Sequence, residues 1–222
     1  MLSTTATKFL MAFTGLALFL FIVGHLAGNL LLLAGPDSFN SYSHTLLSMG
    51  WLLYAVEAGL IVFFAAHVVS GVSIVWKNRG ARGNRYQTTR SRGEPSRMNF
   101  SSRSMIWTGL VLLVFTIVHL QTFKFGPAEA EGYLTTVDGV VMRDLYRLVV
   151  EVFSNEVYVV GYVAAMVLLG LHLRHGFWSA FQSLGAHHPR ITPILYGFGA
   201  FTAALLAIGF LFLPIWIYLT GV

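Results

Sequence analysis

Four histidines stand inside strongly apolar sequence: His25 in "FIVGHLAG", His67 in "FAAHVVSG", His119 in "FTIVHLQT" and His172 in "LGLHLRHG". An imidazole can bind a metal through a ring nitrogen, move a proton, or hydrogen-bond to a neighbour. In an apolar solvent an ionisable side chain is costly, so its presence asks for one of these roles. The stretch 170–188 holds four of the eight histidines, and His172 and His175 within it form a His-x-x-His spacing.

Those histidines need elements that position them. The chain has 222 residues, 56% hydrophobic and 10% charged, with no cysteine. A soluble domain carries about 25% charged residues, so the bilayer is the expected solvent. Without cysteine there is no disulfide framework, Fe–S ligand set or thiolate zinc site. Five runs approach the roughly 20 residues that span a bilayer: 9–34, 51–76, 104–125, 155–180 and 193–220. They are continuous rather than alternating, which requires helices instead of barrel strands. The first is too long for the apolar core of a signal peptide, lacks a small-residue cleavage site, and is expected to be retained. The expected fold is all-α, a single membrane domain of five helices spanning 1–222.

Lys8, Arg174, Arg190 and the basic segment 77–103 (Lys77, Arg79, Arg82, Arg85, Arg90, Arg92, Arg97, Arg103) fall on one side of this arrangement. Only Lys124, Arg143 and Arg147 fall on the other. Positive charge marks the cytoplasmic face, so the N-terminus is expected inside and the C-terminus outside. The net charge of +5 then reports topology rather than nucleic acid. Residues 140–153 place Val141, Leu145, Leu148, Val149 and Val152 on one helical face, predicting a short interfacial helix.

With the topology set, depth follows. His25 and His119 lie near the outer ends of their helices, and His67 and His172 near the inner ends. Two depth-matched pairs result, separated by roughly 10–15 Å at 1.5 Å per residue. Paired imidazoles without cysteine or a nearby carboxylate suit bis-histidine haem iron, since haem supplies its own equatorial nitrogens. Zinc takes more protein ligands, and copper would recruit Met or Cys. Gly24, Gly28, Ser70, Gly71, Gly170 and Gly176 lie within about a turn of these histidines. They can admit a flat macrocycle, and they equally allow tight helix packing. A haem-free proton-coupled transporter is the alternative, although such proteins usually add intramembrane carboxylates. Only Glu57 is clearly embedded here.

The motifs "GHLAGNL", "AAHVVSG", "VHLQTF" and "HLRHGFWSAFQSLG" resemble the five-helix, di-haem cytochrome b membrane anchor of succinate:quinone oxidoreductases and quinol:fumarate reductases. The resemblance runs over essentially the whole chain, and the last motif is the most specific. It implies that His67 and His172 are axial ligands of a proximal haem b, and His25 and His119 of a distal one. It implies flavoprotein and iron–sulfur partners on the cytoplasmic side of a bacterial inner membrane, and menaquinone or a similar quinone as electron acceptor. Some fumarate reductases of this class have a glutamate two positions before the fourth-helix ligand. Gly170 stands there, which favours succinate oxidation with quinone reduction. A di-haem anchor for another quinone-linked dehydrogenase stays open.

Quinone needs hydrogen-bond partners for its carbonyls. Tyr42, His44 and Glu57 are candidates near the outer layer, or else ordinary interfacial residues with Glu57 paired to a neighbour. On the inner side Arg174, His175, Trp178 and Gln182 follow His172 and are candidates for haem propionates or a second quinone site. The 77–103 segment can face propionates, anionic lipid or the iron–sulfur partner, and its topogenic role alone explains most of its charge. Axial ligands lie on opposite faces of a haem, so His172 and His175, one turn apart, cannot both serve one iron. Depth and the family pattern select His172, leaving His175 for a propionate or quinone contact.

Overall fold

The structure is a computed structural model that describes residues 3–80, 100–186 and 188–222. Among them five helices are long and apolar enough to cross a membrane: Thr4–Ala34, Trp51–Asn78, Ser104–Lys124, Glu156–Ser183 and Ile191–Thr220. Their outward faces are apolar. Leu20, Ile61, Val114 and Phe201 are each more than 60% exposed, which suits lipid rather than water. The chain therefore has the build of a multi-pass membrane protein. Most of the basic segment 77–103 lies outside the described residues, as does His187.

Helix α1 (Thr4–Asn29) begins where the Ser3 side chain accepts a hydrogen bond from the Ala6 backbone at 3.2 Å, and tightens into a 3-10 turn, Leu30–Ala34. Gly35, at φ 95°, and Pro36 then turn the chain into α2 (Pro36–Ser48). Proline suits that first helical position because its missing N–H has no intrahelical partner there. Helix α3 (Trp51–Gly80) crosses back. Helix α4 (Phe100–His119) runs into a π-type turn, Leu120–Lys124. Helix α6 (Glu156–Ser183) starts at Asn155, whose side chain accepts from the Val157 backbone at 2.9 Å. Helix α7 (Ile191–Thr220) ends at Gly221, in the left-handed conformation.

Between α4 and α6 the chain differs from the single helix expected over 140–153. Leu134–Val137 (β1) and Val140–Arg143 (β2) form an antiparallel hairpin, and only Leu145–Phe153 (α5) is helical. The turn residues Asp138 and Gly139 both have positive φ, the conformation required by a two-residue hairpin whose twist matches its strands. Val141 therefore lies on an exposed strand, 62% accessible. Leu148 and Val149 are buried as an apolar helix face should be, with Leu145 and Val152 packed against the same core. Asp144 starts α5 by accepting from the Arg147 backbone at 3.0 Å. Asn40, almost fully buried on α2, donates to Asp144 at 2.9 Å and accepts from the Tyr146 backbone. The stretch between the first two expected spans thus holds a helix, α2, locked to α5.

Helix α2, the hairpin and α5 cover one end of the bundle over a core of Leu32, Phe39, Tyr146, Val149, Phe153 and Ile217. This is the capped end; the end bearing the start of α1 is the N-terminal end. A second core, including Phe19, Leu26, Phe177 and Leu206, joins α1, α6 and α7. Helix α7 carries no histidine and buttresses the others. It approaches α6 so closely that a Cβ on Gly170 would meet the Ala207 Cβ at 2.8 Å. Helices α1, α3, α4 and α6 line most of a cavity of about 1520 Å³, to which α2, α5 and α7 also contribute.

Candidate functional site

All four intramembrane histidines line this cavity, and they meet in two pairs. The ring centroids of His25 (α1) and His119 (α4) are 5.7 Å apart toward the capped end. Those of His67 (α3) and His172 (α6) are 6.3 Å apart toward the N-terminal end. These are the pairs that depth alone selects in the sequence. Each pair joins helices from the two halves of the chain, so neither could be built by one helical hairpin.

Each first helix of a half carries the same spacing. "TGLALFLFIVGH" (14–25) in α1 and "TGLVLLVFTIVH" (108–119) in α4 both place Thr-Gly-Leu ahead of a histidine. Each second helix carries a glycine one turn beyond its histidine, Gly71 in α3 and Gly176 in α6. Packing follows this repeat. Thr14 Oγ1 lies 3.4 Å from His67 Nδ1, and Thr108 Oγ1 lies 3.0 Å from His172 Nδ1. A Cβ on Gly15 would meet His67 Cε1 at 3.1 Å, and one on Gly109 would meet His172 Cε1 at 3.5 Å. The eleven residues from Thr14 to His25 set the layers about 16 Å apart along α1.

The surroundings of the two layers differ. Around His25 and His119 the neighbours are aromatic: Phe21 stacks on His25 at 5.4 Å and Phe115 on His119 at 5.7 Å. Phe210 and Phe123 close the sides. Tyr162 places its hydroxyl 3.4 Å from His119 Nδ1. Asn29 Nδ2 donates to the His25 carbonyl at 2.7 Å and sits almost equally far from both ring nitrogens. Around His67 and His172 the closest neighbours are threonine and glycine.

The small residues sort into two roles. Gly15, Gly71, Gly109 and Gly176, one per helix, line the cavity. Of the six singled out in the sequence, only Gly71 and Gly176 are among them. Gly28 lies against Tyr42 and Gly170 against Ala207, where they serve packing; Ser70 is buried away from the cavity.

Of the other candidates, Tyr42 and Glu57 line the capped end of the cavity, whereas His44, on the same helix as Tyr42, does not. Glu57 forms an ion pair with Lys124, from the π-type turn after α4. Arg143 donates to the Phe123 carbonyl at 2.9 Å and the Pro127 carbonyl at 2.7 Å, satisfying groups freed where α4 ends. At the other end His175 and Gln182 line the cavity with Lys8, Asn78 and Ser179. Arg174 donates to the Tyr196 hydroxyl at 3.2 Å, and Trp178 packs on the same ring, so both engage α7 rather than the cavity.

Two facing imidazoles can hold one metal ion between them. Two rings bound on opposite sides of a metal sit ~6.4 Å apart, taking ~2.1 Å for the metal–nitrogen bond and ~1.1 Å to each ring centre. The His67–His172 separation of 6.3 Å matches that value, and the His25–His119 separation of 5.7 Å is shorter. Among the described residues no group of three or more His, Cys, Asp or Glu gathers as a protein-only metal site. Single-ligand pockets usually measure about 300–1,000 Å³; this cavity is large enough for two. Two pairs of imidazoles, a glycine (Gly15) where a Cβ would crowd the His67 ring, and a long, largely apolar cavity are what the site offers to a bound group. Comparison with known protein families, curated proteins and solved structures finds no match to this chain, so its site rests on its own residues.

Proposed function

We propose that this chain is the membrane-anchor cytochrome b subunit of a succinate:quinone oxidoreductase, passing electrons between an iron–sulfur partner and a menaquinone-like quinone. The observation that carries the reading is the meeting of His25 with His119, and of His67 with His172, at two depths of one cavity. Each haem b supplies reversible one-electron chemistry, tuned by its axial ligands and their surroundings. His25 and His119 would hold the haem toward the capped end, and His67 and His172 the other. His175, Lys8 and Asn78 offer polar partners for propionates at the N-terminal end. Tyr42 and the Glu57–Lys124 pair offer hydrogen bonds and protons to a quinone at the capped end. The sequence motifs and charge distribution add the flavoprotein and iron–sulfur partners, and a cytoplasmic N-terminal end in a bacterial inner membrane.

Purification from the native membrane tests this. The account expects flavin and iron–sulfur subunits to co-purify and succinate to reduce the haems. Haem with another dehydrogenase would replace the succinate assignment while keeping the cytochrome. A haem-free preparation would favour proton-coupled transport.

A further inference from the structure

We propose that Thr14 and Thr108 are positioning residues that fix the ring tautomer of His67 and His172, presenting Nε2 of both to the metal and lowering the reduction potential of that layer. The inference rests on the haem reading for its redox part and on hydrogen bonding alone for its tautomer part.

A threonine hydroxyl has one hydrogen. Thr14 lies closest to the Leu10 carbonyl, at 2.8 Å, and Thr108 lies 3.1 Å from the Met105 carbonyl and 3.0 Å from His172 Nδ1; each hydroxyl hydrogen is here assigned to its own helix carbonyl. Such back-bonding is the usual way a helix satisfies a buried hydroxyl. Toward the imidazole each oxygen can then only accept, so Nδ1 carries the proton. With Nδ1 protonated, Nε2 has a free lone pair. Hydrogen bonding from the distal ring nitrogen also makes an imidazole a more basic ligand. A more basic ligand favours the oxidised metal, so the potential falls.

The other layer is built differently. Asn29 Nδ2 is a donor and lies 3.4 and 3.5 Å from the two nitrogens of His25, so it selects neither tautomer. The near-repeat of α1 and α4 gives threonines to one layer only, while in the other a phenol, Tyr162, stands 3.4 Å from His119 Nδ1. Gly15 and Gly109, each next to its threonine, keep the space into which those rings settle.

The test is the valine pair Thr14→Val and Thr108→Val, which keeps side-chain shape and removes the acceptor, beside Thr14→Ser and Thr108→Ser, which restore it. In the haem-loaded protein, potentiometric titration should show one of two haems shifted upward by valine. The ferric-to-ferrous preference should change on the order of tenfold, ~59 mV for a one-electron couple. The second haem should stay in place, and serine should return the first toward wild type. An unshifted potential in the valine variants, or an equal shift of both haems, overturns the redox part. Nitrogen NMR of ¹⁵N-histidine in the wild-type chain from haem-deficient cells reads the tautomers with no variant and no haem. Protonated Nδ1 on His67 and His172 is expected; protonated Nε2 overturns the tautomer part. A chain that never binds haem would defeat the proposed function while the NMR result still decides the tautomers.

Discussion

His67 and His172, on helices from opposite halves of the chain, face one another across the bundle with ring centroids 6.3 Å apart. Thr14 stands behind one ring and Thr108 behind the other. In the layer of His25 and His119, phenylalanines stack on the rings while Asn29 and the Tyr162 hydroxyl stand near the ring nitrogens. The two sites share a ligand set and differ in what touches it, which lets them be perturbed separately.

Replacing His25 or His119 with alanine should remove one haem and spare the other. The layers are about 16 Å apart along α1, and no residue is a ligand in both. Haem-to-protein ratio measures this: one haem should remain in each variant. Retention of both would refute the ligand assignment.

Gly15 and Gly109 should respond unequally to alanine. A methyl group at Gly15 would come within 3.1 Å of His67 Cε1, closer than ordinary contact, whereas at Gly109 the gap is 3.5 Å. Low-temperature spectra of the haem bands should therefore change for Gly15→Ala and stay near wild type for Gly109→Ala. The reverse order would contradict the packing described.

Glu57 and Lys124 form an ion pair within membrane-spanning segments. Removing one partner leaves the other charge in a medium that solvates it poorly. Glu57→Gln alone should lower stability by roughly 1–3 kcal/mol, and the double variant Glu57→Gln with Lys124→Met should recover part of that loss. Thermal melts in one detergent compare them. A double variant less stable than either single would show that the pair's attraction outweighs its desolvation.

Much of the site was legible because topology converts sequence position into depth. Once five spans were placed, His25 had to share a layer with His119, and His67 with His172. What escaped was short-range. Asp138-Gly139 between apolar residues is a hairpin signal, but the 3.6-residue periodicity read over 140–153 took in the second strand, Val140–Arg143, and suggested a longer helix. Thr14 and Thr108 drew no reading from the sequence; the structure sets them against ring nitrogens. The repeated Thr-Gly-Leu was the available signal. Lys124, at a helix end, gave no sign that it reaches Glu57, because that pairing depends on the π-type turn.

The hairpin is predicted to be most stable within a pH window. Outside the spans, Tyr133 donates to Glu151, and Arg147 bonds the same carboxylate at 2.7 Å. The hydrogen bond from Tyr133, then that from Arg147, holds the Glu151 carboxyl below its ordinary 4.5. The bond to Glu151 holds the Tyr133 phenol above its ordinary 10.0. A lowered acid stabilises fully above its unfolded value and is lost as pH falls through the folded one; a raised acid is lost as pH rises through its own. Protection of the hairpin backbone from hydrogen exchange, corrected for intrinsic rates, should thus hold from about pH 4.5 to about pH 10 and weaken on both sides. Glu151→Gln should remove the acid-side loss. An unchanged acid limb in that variant would place the titrating group elsewhere.

The most direct test of the central claim is the optical spectrum of the purified chain with pyridine-haemochrome stoichiometry. Two b-type haems per chain, both low-spin as two axial imidazoles require, is the predicted result. A colourless protein, or one whose haem content is unaffected by loss of His25, His67, His119 and His172 in turn, would contradict it.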